Sequence, residues 1–232
     1  MLGINLLEQI QYSKDNPKEY EIELDLKEKK QNKNNFDAFI LTSAIQIKKD
    51  LFPKIDNSIN QALENLNLDE NFRFFITPDN AVANSYCTVL PKSDRADIVF
   101  TSRLIELFDE DEIKFVIGHE IGHYIYQHYL YPNSEKYSSN DIKYFNALNL
   151  KKSAEISCDR VGLLAIGDLE RALKVMMKVS SGLSSKHIQF NFNVFIEQLE
   201  SLKKLQSNKF LMNSSHPSMF TRAQALMWFN DS

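Results

Sequence analysis

The feature that most constrains this chain is a pair of histidines, His119 and His123, four residues apart in a stretch with helical periodicity. At 3.6 residues per turn such positions lie about 40° apart on one face of a helix, so both imidazoles can reach a single ion. Glu120 follows the first histidine and lies near that ion without ligating it. This His-Glu-x-x-His pattern predicts a helix whose two histidines bind a metal and whose glutamate acts as general base.

A second segment must complete such a site, because catalytic zinc takes three protein ligands and keeps one position for water. Glu155 and Asp159 lie four apart on one face of a second helical stretch. We predict that Glu155 is the third ligand and that Asp159 accepts the other ring N–H of a metal-bound histidine. Cys158 offers an alternative ligand, but a thiolate added to this set would give a closed, structural site. A third histidine ten residues after the first is excluded, because Tyr129 stands there.

Two glycines, Gly118 and Gly122, lie beside the histidines on the same predicted helix. Each costs about 1 kcal/mol in a helix interior relative to alanine, so packing must compensate for their presence. We expect them to let a neighbouring helix approach closely, and the helix that carries Glu155 is the predicted neighbour.

The remaining pattern predicts an α+β fold that is mainly helical, with a small mixed sheet beside the histidine helix. Short aromatic or β-branched segments separated by turn signals indicate three strands, at 72–77, 86–90 and 97–101. Before them, residues 36–66 have apolar positions at helical spacing, broken near Pro53, which predicts one kinked helix or two consecutive ones. Beyond Ser102 the pattern is helical almost throughout.

The length of 232 residues, with 43% hydrophobic residues, predicts a single domain covering 1–232. Its core is expected at about 72–230, with residues 1–71 packed on it as an N-terminal strand and helices. The alternation of apolar and charged residues at Tyr20–Leu26 predicts the strand, and the polar run at Lys27–Asn35 predicts a loop.

Charge and cysteine content limit the possible partners and the cellular location of this protein. A formal net charge of −4 argues against a nucleic-acid partner. No stretch approaches the roughly 20 consecutive apolar residues of a transmembrane helix, and the first residues lack the features of a secretory leader. The two cysteines, Cys87 and Cys158, suit a reducing compartment. We therefore expect a soluble, cytoplasmic protein, and its oligomeric state is open.

Three blocks of this sequence resemble the HtpX and CAAX-prenyl endopeptidase family of zinc peptidases, a gluzincin family whose third ligand is glutamate. The blocks are Asn84-Ser85-Tyr86 with the segment leading into His119–His123, then Glu155–Arg160, and finally Ser215-His216-Pro217-Ser218 with Arg222. The resemblance implies a zincin-like domain. It also implies that Asn84 and the adjoining backbone hold the substrate as an added strand, that His216 stabilises the oxyanion, and that Arg222 ties down the C-terminal helix. Well-known members carry transmembrane helices, which we do not expect here.

The predicted function is that of a zinc-dependent endopeptidase with one Zn²⁺ per chain and a peptide or protein as substrate. The alternative is a catalytically restricted, zinc-bearing binding or regulatory module on the same fold. A third hypothesis is a helical protein that holds no metal.

Overall fold

The structure is a computed structural model of the chain, and it describes residues 38–69, 72–89, 95–204 and 216–231. The predicted strand at Tyr20–Leu26 and the predicted loop at Lys27–Asn35 lie outside these residues. Within them, no helix combines the length and the apolar character that crossing a membrane requires. The predicted boundaries of a single domain stay a prediction.

The predicted α+β class, mainly helical with a small sheet, is confirmed. In chain order the elements are β1 (Ile45–Gln46), α1 (Pro53–Asn65), β2 (Phe72–Thr77), β3 (Ser85–Val89), β4 (Ala96–Thr101), α2 (Ser102–Leu107), α3 (Glu112–Ile125), α4 (Ile142–Ile166), α5 (Leu169–Ser181), α6 (Phe192–Lys204) and α7 (Met219–Asn230). Residues 38–43 are also helical. Two short 3₁₀ helices, His128–Leu130 and Ser134–Lys136, connect α3 to α4.

The four strands form a mixed sheet with the order β1-β2-β4-β3. β2 and β4 are parallel, whereas β1 and β3 pair antiparallel with their neighbours. All six residues of β4 are buried, as its central position requires. β3 pairs with β4 on one side within the described residues and lies beside α3, so it forms the sheet edge nearest the histidine helix.

The prediction of one kinked helix or two consecutive helices over 36–66 was wrong in one segment. Ile45 and Gln46 form a short strand paired with Ile76 and Phe75, although their spacing to neighbouring apolar residues is helical. Hydrogen bonding to the edge of β2 outweighs this local preference. Pro53 does not kink a helix but begins one, because at the first helical position its missing N–H has no intrahelical partner to lose.

Helix α3 packs against α4 at very short range, as its glycines predicted. A Cβ added at Gly118 would lie 2.5 Å from the Cβ of Ala165, and one added at Gly122 would lie 3.0 Å from the Cα of Cys158. Gly162 of α4 makes the reverse contact with the backbone of α3. Only hydrogen in place of a side chain permits this approach, which brings the residues of α4 within reach of the histidines.

The N-terminal end of α3 is held by buried polar groups. The carboxylate of Asp109 accepts a hydrogen bond from the backbone N–H of Glu112, and the carboxylate of Glu112 accepts one from the N–H of Asp109. Glu112 is itself buried and forms an ion pair with the buried Lys178 of α5. The start of α3 is therefore fixed against α5, and the position of its histidines follows.

Candidate active site

The predicted site residues converge on one cleft of about 490 Å³ between β3, α3, α4 and the start of α7. Six of the seven predicted residues line this cleft: Asn84, His119, Glu120, His123, Glu155 and His216. The seventh, Asp159, is fully buried behind the histidines. These residues come from four separate parts of the chain.

Glu155 faces both histidines of α3. Its Oε2 lies 3.6 Å from the Nε2 of His119, and its Oε1 lies 3.7 Å from the Nε2 of His123. Two ligands about 2.1 Å from a tetrahedrally coordinated ion lie about 3.4 Å apart. The separations therefore fit two imidazoles and one carboxylate arranged around a single ion.

Asp159 orients the first histidine from the opposite side of its ring. Its Oδ1 lies 3.0 Å from the Nδ1 of His119. Burial opposes ionisation of Asp159, but the charge and hydrogen bonds of Arg222 outweigh burial and lower the pKa of this carboxyl group. An ionised Asp159 accepts the Nδ1–H of His119 and leaves Nε2 free to ligate. Burial also opposes protonation of His119, yet Asp159 and Glu155 raise its pKa in the absence of a metal.

Arg222 of α7 contacts both carboxylates of α4. It donates to Asp159 from Nε at 2.7 Å and from Nη2 at 2.6 Å, and its Nη1 lies 3.3 Å from the Oε2 of Glu155. The bond to Asp159 agrees with the predicted role of tying down the C-terminal helix. The contact with Glu155 was not predicted, because nothing in the local sequence shows which residues 60 or more positions away Arg222 reaches.

Glu120 is buried beside the edge strand. Its Oε1 accepts a hydrogen bond of 2.6 Å from the Oγ of Ser85, and the backbone N–H of Cys87 also bonds to its carboxylate. Burial is the largest cause of a raised pKa for Glu120, and these hydrogen bonds oppose the rise. No role was predicted for the side chain of Ser85, although its backbone adjoins Asn84 in the segment predicted to hold the substrate.

The backbone of Asn84 is already paired. Its N–H donates to the Oγ1 of Thr101 at 2.9 Å, and its C=O accepts from the N–H of Thr101 at 3.0 Å. Since alternate residues of an antiparallel strand point to opposite edges, the backbone groups of Ser85 and Cys87 face away from β4. The backbone groups turned toward the cleft are thus those that follow Asn84, whereas Asn84 lines the cleft beside them.

His216 lies at the rim of the cleft, just before α7. Its Nε2 is 3.8 Å from the Oε1 of Glu155, and its side chain is 64% exposed. The hydroxyl of Ser218 accepts a hydrogen bond from the N–H of Thr221 and so caps the first turn of α7. This cap fixes the point at which the chain enters α7 and holds His216 close to Glu155.

His128, to which the sequence analysis assigned no role, packs against the second site histidine. Its Nδ1 lies 3.1 Å from the Nδ1 of His123 and 3.4 Å from the Sγ of Cys158. Residues five apart in a helix do not share a face, but Gln127 has a φ of 55° that ends α3 and turns the chain back. Burial is the main reason that the pKa of each of these two histidines is lowered to about 3.

Cys158 gives the site a second potential set of metal ligands. One ligand atom each from His119, His123 and Cys158 can be chosen so that all lie within 4.8 Å of one another. However, burial raises the pKa of the Cys158 thiol, which disfavours the thiolate that binds metals. His128, which contacts Cys158, lies on the Nδ1 side of His123, away from Glu155.

Comparison with known proteins identifies the family to which this chain belongs. The profile of Peptidase family M48 matches residues 49–228, which is more than half of the chain. The chain belongs to Peptidase family M48. The predicted resemblance to this family is confirmed.

Two known proteins are similar to this chain. The plastoglobule-localized metallopeptidase 48, chloroplastic, of Arabidopsis thaliana is 25% identical over 205 residues, covering 79% of this chain and 59% of the relative. The crystal structure of S. mikatae Ste24p matches with a TM-score of 0.43 and 19% identity, covering 74% of this chain and 49% of that one. The chain thus spans less than two thirds of either protein. The cytoplasmic location stays a prediction, since the Arabidopsis relative is described as chloroplastic.

Proposed function

We propose that this chain is a zinc-dependent endopeptidase in which His119, His123 and Glu155 hold one Zn²⁺ per chain. The observation that carries this proposal is the Glu155 carboxylate, which faces the Nε2 atoms of both histidines at 3.6 and 3.7 Å. Two imidazoles and one carboxylate are a ligand set of catalytic zinc sites, because they leave a coordination position free. When bound, zinc supplies a Lewis acid that polarises a carbonyl group and lowers the pKa of a coordinated water.

Glu120 acts as the general base. It accepts a proton from the attacking water and delivers it to the nitrogen of the leaving amine. In the metal-free chain, burial raises the pKa of Glu120, so this carboxyl group binds a proton more readily than an exposed glutamate does. The hydrogen bonds from Ser85 and from the backbone of Cys87 hold the carboxylate in one orientation.

The substrate is a peptide that binds in extended form along β3. The backbone groups of Ser85 that face away from β4 add the peptide as a further strand, and the Asn84 side chain hydrogen-bonds to it. His216, at the rim of the cleft, donates from Nε2 to the oxyanion of the tetrahedral intermediate. Arg222 pairs with the buried Asp159 behind His119 and also contacts Glu155. The net charge of −4 remains an argument against a nucleic-acid substrate.

The deciding experiment is elemental analysis combined with a cleavage assay on an unstructured protein, using chains purified without a metal-affinity tag. We expect about one zinc per chain in the wild type and in Cys158→Ser, and a large loss in Glu155→Ala. Glu120→Gln should keep its zinc while cleavage falls by about 10²–10⁴-fold.

Three other outcomes would support a different assignment. Zinc lost from Cys158→Ser but kept in Glu155→Ala would assign the third ligand to Cys158. A wild type without zinc would overturn the enzyme proposal. A wild type that binds zinc, while Glu120→Gln retains its full biological activity, would favour the alternative of a zinc-bearing binding or regulatory module.

A further inference from the structure

The two histidines of α3 share a neighbour at Nε2 and have different neighbours at Nδ1. Both direct Nε2 toward Glu155. The Nδ1 of His119 lies beside a carboxylate, that of Asp159, whereas the Nδ1 of His123 lies 3.1 Å from the Nδ1 of His128. The planes of the His123 and His128 rings are nearly perpendicular, at 79°, and their centroids are 5.1 Å apart. The two Nδ1 atoms are closer together than the centroids, so each ring turns its Nδ1 edge toward the other.

The distance of 3.1 Å between two ring nitrogens requires one to donate and the other to accept. If Nε2 of His123 ligates a metal, it carries no proton, so the proton of a neutral His123 is on Nδ1. His123 is then the donor, and the Nδ1 of His128 is the acceptor. The proton of His128 must accordingly be on its Nε2.

A second group lies beside the same nitrogen. The Sγ of Cys158 is 3.4 Å from the Nδ1 of His128, but this nitrogen has one lone pair, and the shorter contact with His123 takes it. The ring of His128 is also held between Tyr126, stacked at 5.7 Å, and Tyr131, tilted at 4.9 Å. The position of His128 is therefore set by packing against the two tyrosines and by its contact with His123.

We propose that His128 is a positioning residue that holds His123 in its Nδ1–H tautomer and fixes the direction of its Nε2. It does for His123 what Asp159 does for His119, but as a neutral acceptor that adds no charge to the site. This inference rests on the proposed function, in which His123 binds zinc. Partners of this kind contribute about 10–100-fold to metal affinity in characterised zinc proteins.

The test compares zinc affinity, measured by competition with a chromophoric chelator, in three variants. His128→Phe keeps a ring but removes the acceptor, and we expect its affinity to fall by about 10–100-fold. His128→Asn places an amide oxygen near the position of Nδ1 and should recover most of that loss. The matched control His187→Phe alters an exposed histidine outside the cleft and should bind zinc as the wild type does.

The second readout is the tautomer of His123, read from long-range ¹H–¹⁵N couplings of the zinc-loaded wild type, which needs no variant to fold. A proton on Nδ1 supports the proposal, and a proton on Nε2 overturns it. Wild-type affinity in His128→Phe would also overturn it. If the wild type binds no zinc through its histidines, the proposed function itself fails, so the two failures are distinguishable.

Discussion

At the scale of single residues, the site depends on charges that are buried together. The guanidinium of Arg222 and the carboxylate of Asp159 are almost inaccessible, with 12% and 1% of their side chains exposed. A buried charge that loses its partner keeps the cost of desolvation without the compensating attraction. Residues in such a cluster therefore influence stability as well as chemistry.

Replacing Arg222 by methionine should destabilise the fold by about 3–5 kcal/mol, because Asp159 would remain buried without its main cationic partner. The free energy of unfolding in urea measures this effect. Arg171→Met is the matched control, since Arg171 forms an ion pair with Asp111 in which both side chains are nearly half exposed. That change should cost no more than about 1 kcal/mol. Equal losses in the two variants would contradict the prediction.

The histidines give the metal-free protein a pH dependence whose sign can be worked out. His128 has a pKa of about 3 in the folded chain, mainly because of burial, and about 6.5 when unfolded. Between these two pH values the unfolded chain binds a proton that the folded chain does not. The contribution of His128 to stability is therefore fully present above about pH 6.5 and is lost as the pH falls toward 3. The lowered pKa of His123 also makes the fold less stable as the pH decreases. The raised pKa values of His119 and Glu120 have the opposite effect on stability.

A comparison of variants isolates the contribution of His128. In chelator-treated protein, His128→Asn should lose less stability than the wild type when the pH is lowered from 7.5 to 5, because asparagine does not titrate. Urea midpoints at the two pH values give the measurement. Parallel losses in the two proteins would show that His128 is not held neutral by the fold.

At the scale of elements, the contact between α3 and α4 positions Glu155 and Asp159 against the histidines. The glycines of α3 make that contact possible, since the Cβ of Ala165 would lie 2.5 Å from a Cβ at position 118. No pair of side chains with ordinary van der Waals radii fits this space. The spacing of the two helices is therefore a property of these small residues rather than of the site itself.

Gly118→Ala should destabilise the protein by about 1–3 kcal/mol through overpacking, although alanine favours a helix by up to about 1 kcal/mol. The double variant with Ala165→Gly should recover part of the loss, because one methyl group then replaces the other across the interface. Recovery will be incomplete, since the carbonyl oxygen of Val161 would still lie 2.8 Å from the new Cβ. A double-mutant cycle on unfolding free energies measures the coupling, and simple additivity would exclude the clash.

At the scale of the whole molecule, a bound metal would join α3 to α4 at the cleft. A ligand that binds only the folded state stabilises it by mass action, by about 4 kcal/mol when its free concentration is 1,000 times its Kd. Chelation should consequently lower the melting temperature of the wild type and of Cys158→Ser. Glu155→Ala should melt at nearly the same temperature with and without chelator. A large chelator effect in that variant would place the metal elsewhere.

The sequence by itself determined the parts of this protein that follow from local periodicity. The spacing of His119 and His123, the position of Glu155 relative to Asp159 on α4, and the three strand segments all depend on residues a few positions apart. The family resemblance and the glycines of α3 further predicted that two helices pack together and present metal ligands on one face. Where local pattern and tertiary pairing disagreed, as at Ile45 and Gln46, the pattern failed.

The tertiary structure alone decided which distant groups complete the site. Ser85 bonds to Glu120 across 35 positions, and Arg222 reaches Asp159 across 63. His128 contacts His123 only because a left-handed residue turns the chain back at the end of α3. Such contacts depend on how a sheet edge, a turn and a C-terminal helix pack around α3. Local periodicity does not encode them, because the free energy of packing is shared among residues far apart in the chain.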